Sequence, residues 1–444
     1  MKRKLLRQLR NEWQANIWLC LELLIVSVVI WYIADFFFVK TTLLTEPKGW
    51  STERIYRIET TLIPAESPDY VASADGRAWW ELLGESAITL VDRLKTNPDV
   101  EYATIVEGGG VPYDGSSSSN SLKDANPLPG DTINLESLDF EDEEKAPEGI
   151  PETGRRLSRM VYYVGMGKDA LRAYDVHGLG GETPDELEAI LDRGDILLSE
   201  TAVNGTDRDP LSLIGRQFYV GRDSTRTYRV GAIIPYLNSA GDFSGIGDNV
   251  KWVTRNNGGF GTIIVRVRPG HEDGFADRII AEADNYYSVN NLVIDNVQPI
   301  DEIGKEFDRE PRLEMRNWFV CLGFMLMSIF LGVLGTFWFR TQQRMGEMAI
   351  RKTFGASSSA LFRRLIGEGL VLLVCATVPA AVIDIIIANH ELNAELYLVY
   401  MEPARMALTI AATFLFMAVM IVLGTVFPAW RAMKVDPARV LADE

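Results

Sequence analysis

Long uninterrupted runs of apolar residues alternate along the chain with stretches patterned at shorter periods. Residues 318–339 and 406–430 contain no charged side chain, residues 17–39 carry only Glu22 and Asp35, and residues 369–388 carry only Asp384. At about 1.5 Å per residue each run reaches roughly 30 Å, the thickness of a bilayer's hydrocarbon layer. One such run could be a core helix of a soluble protein. Four in one chain predict transmembrane helices, at residues 17–39, 317–339, 366–388 and 406–430. The expected fold class is a membrane protein with four transmembrane α-helices plus a large mixed α/β domain, residues 40–316, between helices 1 and 2.

Within that domain the periods change. Residues 55–62 alternate as a strand does, residues 79–97 repeat at helical spacing up to Pro98, and residues 100–106 read as a strand again. Residues 113–152 combine a serine-rich run (116–121), Pro127, Pro129, Pro147 and Pro151, with Pro112 at the edge, and the acidic stretch 139–144. Such a composition buries little apolar surface, so a long flexible loop is expected there. Short strands are predicted at 159–164, 195–199, 217–220, 227–234 and 262–267, and a helix at 274–283.

Charge sets the orientation. Lys2, Arg3, Lys4, Arg7 and Arg10 precede the first run, and Arg340, Arg344, Arg351, Lys352, Arg363 and Arg364 lie between the second and third. Basic segments stay on the cytoplasmic side, which predicts both termini inside. The expected layout is an amphipathic helix over 1–16 (Leu5, Leu6, Leu9 and Trp13 at helical spacing), a cytoplasmic segment 340–365, a short outer loop 389–405 and a cytoplasmic tail 431–444. The chain carries a net charge of −17, so its acidity must sit mostly in the domain facing outward, and an acidic surface argues against nucleic acid as a partner. The first run is too long for a signal peptide and offers no small-residue cleavage site. Cys20, Cys321 and Cys375 all fall in predicted spans, so the outer domain needs no disulfide.

Catalytic motifs are not found. No G-x-x-x-x-G-K-[ST] is present, since Gly165-Met-Gly-Lys168 lacks the first glycine at the required spacing. No G-x-S-x-G occurs, and His390-Glu391 has no second histidine four residues after the first. His177, His271 and His390 are scattered, and Gly108-Gly-Gly110 reads as a flexible turn. Glu22 and Asp384 are the charges of interest inside spans: either they serve function, or they sit near a span end and reach the headgroups. No catalytic, cofactor-binding or metal-binding residue is assigned.

A resemblance enters with the segment after the second span. Arg344-Met-Gly-Glu-Met-Ala-Ile-Arg-Lys-Thr-Phe-Gly-Ala-Ser357 resembles the R-x-x-E-I-G-I-R-K-A-L-G-A-S loop of MacB/FtsX-type ABC transporter permeases. The end, Pro428-Ala-Trp-Arg-Ala-Met-Lys-Val-Asp-Pro-Ala-Arg-Val-Leu441, is similar to that family's P-x-x-R-A-x-x-x-D-P-x-x-x-L. In the outer domain Asp195-Ile-Leu-Leu-Ser-Glu-Thr-Ala-Val203, Pro210-Leu-Ser-Leu-Ile-Gly-Arg-Gln217 and Tyr228-Arg-Val-Gly-Ala-Ile-Ile-Pro235 resemble its S-E-x-A, P-x-G-K and V-x-G-V positions. Phe354 stands where the family often has Leu, and Val374-Cys-Ala-Thr-Val-Pro-Ala-Ala381 lacks its usual glycines.

The resemblance implies a permease subunit that is not itself an enzyme, working as a homo- or heterodimer in a Gram-negative inner membrane, its large domain periplasmic. ATP would be used by a separate ABC ATPase subunit, docked on a coupling segment of Glu347, Met348, Ile350, Arg351, Lys352, Phe354 and Gly355. The implied cargo is a peptide, antibiotic or lipoprotein-like molecule passed toward a periplasmic adaptor and outer-membrane duct. The alternative is an FtsX-type regulatory protein whose stroke activates a periplasmic partner without transport.

Overall fold

The computed structural model describes residues 13–71, 77, 79–114, 119–125, 158–203, 208–220, 223–244, 250–343, 350, 353–354, 357–389 and 403–433. The chain divides into two compact units, Met1–Leu44 with Glu310–Glu444, and Thr45–Arg309. Helices are numbered α1 (Trp13–Thr45), α2 (Trp79–Lys95), α3 (Ala170–Ala173), α4 (Pro184–Asp192), α5 (Phe275–Ala281), α6 (Ile300–Phe307), α7 (Arg309–Gln343), α8 (Ser358–Asn389) and α9 (Pro403–Met433). Strands are β1 (Ile55–Leu62), β2 (Val100–Gly108), β3 (Ser119–Asp124), β4 (Ser158–Met166), β5 (Ile196–Ser199), β6 (Gln217–Val220), β7 (Asp223–Ile234), β8 (Val250–Arg255), β9 (Thr262–Val267) and β10 (Leu292–Pro299).

In the first unit, α1, α7, α8 and α9 contain apolar spans of 24 to 35 residues, each long enough to cross a membrane. Their buried sides share one core: Leu23 and Ile30 from α1, Val333 and Phe337 from α7, Leu373 and Ala376 from α8, Met417 and Ile421 from α9. Small residues set the closest approaches. A Cβ on Gly424 would lie 3.1 Å from the Phe330 carbonyl oxygen, and one on Gly369 would lie 2.8 Å from an Ile421 methyl. The third span thus packs through Gly369, Ala376 and Ala380, which fill the role of the glycines it lacks further along.

The second unit is one connected sheet with two parts. At one end lie β10-β1-β9-β2, and at the other β4-β3-β6-β7-β5-β8, where an added β4–β8 pairing closes the six strands into a barrel. Closure comes from a parallel register that runs from Val161↔Val250 to Met166↔Arg255. A closed sheet has no free edge there, which suits a small domain exposed to water. Phe218, Ile196, Leu198, Val230 and Trp252 fill one barrel core. The open part buries Ile58, Ala103, Val265 and Val297 beneath Leu90 and Leu94 of α2 and Phe275 and Ile279 of α5.

The expectation of a loop over 113–152 is corrected near its start. Residues 119–124 form β3, which pairs with β4 and β6 and buries Leu122. Serine-rich composition does not prevent a strand whose backbone is paired on both sides; one inward leucine suffices to seat it. The acidic stretch 139–144 lies outside the described residues, as do the basic residues of the expected 1–16 helix.

Candidate functional site

The segment between α7 and α8 carries the expected coupling residues. Ile350 and Phe354 are described; Glu347, Met348, Arg351, Lys352 and Gly355 lie outside the described residues. The Phe354 amide donates to the Ile350 carbonyl at 3.1 Å, a single helical turn that places both side chains on one face. Ile350 is 44% exposed and Phe354 88%, the most exposed large apolar side chain among the described residues. Ser357, the last residue of the G-A-S motif, caps α8: its Oγ accepts from the Ala360 amide at 3.3 Å. The C-terminal motif closes the same end of the bundle. The Arg431 guanidinium lies 4.6 Å over the Trp338 ring, which stacks on Phe427 at 5.6 Å.

Toward the other end of α1 and α9 runs a polar seam. Arg405 donates to both carboxylate oxygens of Asp35, Nε at 2.8 Å and an Nη at 2.6 Å, with both residues buried. One turn further, Trp31 Nε1 donates to Thr409 Oγ1 at 3.0 Å. Ser27, Trp31 and Asp35 recur at every fourth residue of α1, as Arg405, Thr409 and Thr413 do in α9, so the two rows face along one interface. Bidentate pairing with full hydrogen bonding is what allows two charges inside a helix bundle. This pair is absent from the expected site residues because Arg405 stands one residue before the apolar run at 406. A cation at the lip of one span and an anion in another was the available signal.

The two charges singled out from the sequence separate. Asp384 is 2% exposed within the helix bundle, which contradicts the headgroup-reaching alternative for it. Glu22 is half-buried and its carboxylate covers Gly332, where a Cβ would lie 2.8 Å from Oε1.

In the sheet unit the family-like motifs prove to be packing devices. Ser199 Oγ accepts from the Lys251 amide at 2.8 Å, tying β5 to β8. Gly231 has no room for a side chain, since a Cβ would lie 2.2 Å from an Ile190 methyl of α4. The triplet Gly108-Gly-Gly110 is a packed turn rather than a flexible one. A Cβ on Gly109 would lie 2.6 Å from Lys251 Nζ, and one on Gly110 would lie 2.5 Å from a Val106 methyl. Lys251 is buried, donates to Ser239 Oγ at 2.9 Å and to the Gly109 carbonyl at 3.3 Å, and sits over the rings of Tyr236 and Tyr162. Desolvation lowers its ammonium pKa to about 8.

The histidines do not converge. His177 pairs with Asp175, His271 Nδ1 meets Asp99 Oδ1 at 2.7 Å, and His390 lies outside the described residues. Burial works to raise the Asp99 carboxyl, but hydrogen bonds from Arg278 and His271 outweigh it and hold the group below the usual range. Among the described residues no three histidine, cysteine or acidic side chains group as metal ligands.

The FtsX-like permease C-terminal family matches residues 319–437, from the second span through the closing motif. Residues 319–437 are thus similar to FtsX-like permease C-terminal domains. The match bears out, for this part of the chain, the resemblance to FtsX/MacB-type permeases. No curated protein matches the chain. Among solved structures, the "extracellular domain of noncanonic ABC-type transporter YknZ from Gram-positive bacteria" aligns at 10% identity over 54% of this chain and 100% of that one. Its TM-score is 0.27, too low to carry an argument about fold.

Proposed function

We propose that this permease is the mechanotransmission subunit of a MacB-type ABC exporter. A separate ATPase docks on the segment between α7 and α8 in the cytoplasm, and the movement of the helices it drives reaches the domain between spans 1 and 2. That domain lies in the periplasm of a Gram-negative cell, both termini are cytoplasmic, and the permease works as a dimer. Its cargo is a peptide, antibiotic or lipoprotein-like molecule handed toward a periplasmic adaptor and outer-membrane duct. The observation that carries the reading is the pair of exposed apolar side chains Ile350 and Phe354, just before the Ser357 cap, in a stretch of sequence that also holds Arg344, Arg351 and Lys352. An 88% exposed phenylalanine beside basic residues suits a groove with acidic rims on a soluble partner.

The test uses the full chain co-expressed with its partner ABC ATPase. Charge reversal at Arg351 and Lys352 is expected to leave insertion intact, because Arg340, Arg344, Arg363 and Arg364 still retain the loop inside. Co-purification of the ATPase and its stimulated hydrolysis should both fall at least tenfold. Normal insertion with unchanged association and hydrolysis would reduce the segment to a topology signal. An encoded cell-wall hydrolase in place of an adaptor and duct would favour the FtsX-type regulatory reading instead.

A further inference from the structure

Residues 236–244, which follow β7, touch three parts of the sheet unit that are far apart in sequence. The first is the chain that has just left α1. The Asn238 amide donates to the Lys48 carbonyl at 3.1 Å, and Lys48 Nζ donates to the Asp242 carbonyl at 3.1 Å with the Asp242 carboxylate 3.8 Å away. Gly49, at φ +79°, lies so close that a Cβ there would sit 2.3 Å from the Tyr236 carbonyl oxygen. The second is the chain about to begin α7. The Asp242 amide donates to both oxygens of Asp308, at 3.2 and 3.3 Å, and Gly241, at φ +97°, rests on Asp308 and the Phe307 ring.

The third attachment is the sheet. Lys251 of β8 binds Ser239, and through the Gly109 carbonyl it also reaches the turn after β2. That turn returns to the same place, because Tyr113 OH donates to Asp242 Oδ1 at 3.2 Å while its ring packs on Gly304 of α6. Internally the segment is stiff. The Asn238 side chain donates to the carbonyls of Gly241 and Ser244 and accepts from the Ala240 amide. Asn238, Ser239 and Asp308 are all buried, so these bonds form away from competing water.

We propose that residues 236–244 are a three-way joint that holds the two chain arms leading to the membrane helices to each other and to the barrel. Displacement of either arm then cannot occur alone, because both arms close on the same buried, internally bonded segment. Its use in transmission rests on the function proposed above, whereas the tie itself is a property of this chain and is tested without any ATPase.

The experiment is hydrogen exchange on the full chain in lipid nanodiscs, comparing wild type with Asp308→Ala. The substitution removes both acceptors for the Asp242 amide on the second arm. The expected result is a tenfold or greater acceleration of exchange at 236–244, including the Asn238 amide held by Lys48, with β9 and β10 unchanged. Asp308→Asn keeps one acceptor oxygen and should give a smaller acceleration, about threefold, at the same amides. Asp99→Ala, in the cluster with His271 and Arg278, serves as the control and should leave 236–244 unchanged. Acceleration confined to 300–308, with Asn238 protected as before in both Asp308 variants, would overturn the joint. If Asp308→Ala loosens every strand, the Asp308→Asn variant decides by the same criterion. Failure of an ATPase to associate would count against the proposed function and leave this result standing.

Discussion

Arg405 and Lys251 are both buried cations, 3% and 2% exposed, and the two units of the protein hold them in opposite ways. In the membrane unit Arg405 is matched by a full carboxylate, Asp35, through two hydrogen bonds. In the sheet unit Lys251 has neutral oxygens and ring faces, and among the described residues no carboxylate forms an ion pair with it. Lipid supplies no water to an imperfect pair, so a charge between spans needs its counter-charge at once. A water-exposed domain can tolerate a buried amine held by dipoles, at the cost of a depressed pKa. The first arrangement is a lock between two helices. The second is a tie among loops that weakens or strengthens with protonation.

Breaking the lock should have the largest effect. Arg405→Leu removes both charge-assisted hydrogen bonds to the buried Asp35 carboxylate and is expected to cost about 3–5 kcal/mol. The double variant Asp35→Asn with Arg405→Gln removes both charges and should recover most of that loss. Unfolding in mixed micelles at increasing denaturant checks both, and equal losses in single and double variants would remove the ion pair from the account.

The tie at Lys251 predicts a pH effect of opposite character. Its folded pKa of about 8 lies below the unfolded value of 10.5, so above pH 8 the unfolded chain binds more protons and stability rises with pH. Between pH 7 and 9, below most of the tyrosine titration, the gain should reach about 1 kcal/mol. Lys251→Met should show no such rise. Denaturant titrations at each pH make the measurement, and a wild-type slope retained in the Met variant would place the titrating group elsewhere.

A smaller loss is expected at Gly231, where Ala would press a methyl against Ile190 of α4 and cost about 1–3 kcal/mol. The smallest belongs to Phe354. At 88% exposure its replacement by Ala should leave stability within about 0.5 kcal/mol, yet weaken association with the ATPase. A Phe354→Ala variant that unfolds more readily would mean that the side chain packs within the bundle.

What could be read in advance divides along the same line as the cations. The four apolar runs all lie in helices long enough to span, because a bilayer imposes one period and one length on every such run. In the sheet unit the alternating strands at 55–62 and 262–267 were legible, but β8 and β10 were not. Val250–Arg255 packs between β4 and β5, so its burial comes from strands distant in sequence. Helix α4 was legible and unread: Thr183-Pro-Asp-Glu186 is a capping box, with Thr183 and Glu186 satisfying each other's backbone amides. The Asp35–Arg405 pair shows locally only as a four-residue polar repeat in each span, and the joint at 236–244 has no local period, since each is made by segments hundreds or tens of residues apart. Glycine positions came nearest to showing the joint: Gly49 lies against the Tyr236 backbone, Gly109 against the buried Lys251, and Gly241 against the Asp308 and Phe307 side chains.

The proposed coupling has one direct test. Hydrogen exchange of residues 45–309 is followed in the full permease bound to its ATPase in nanodiscs, without nucleotide and with a non-hydrolysable ATP analogue. The account predicts that nucleotide binding, which takes place on the ATPase, changes protection several-fold at 236–244 and at the arms around Lys48 and Asp308. Identical exchange in the two states, in a complex whose hydrolysis is stimulated by the permease, would contradict transmission to this domain.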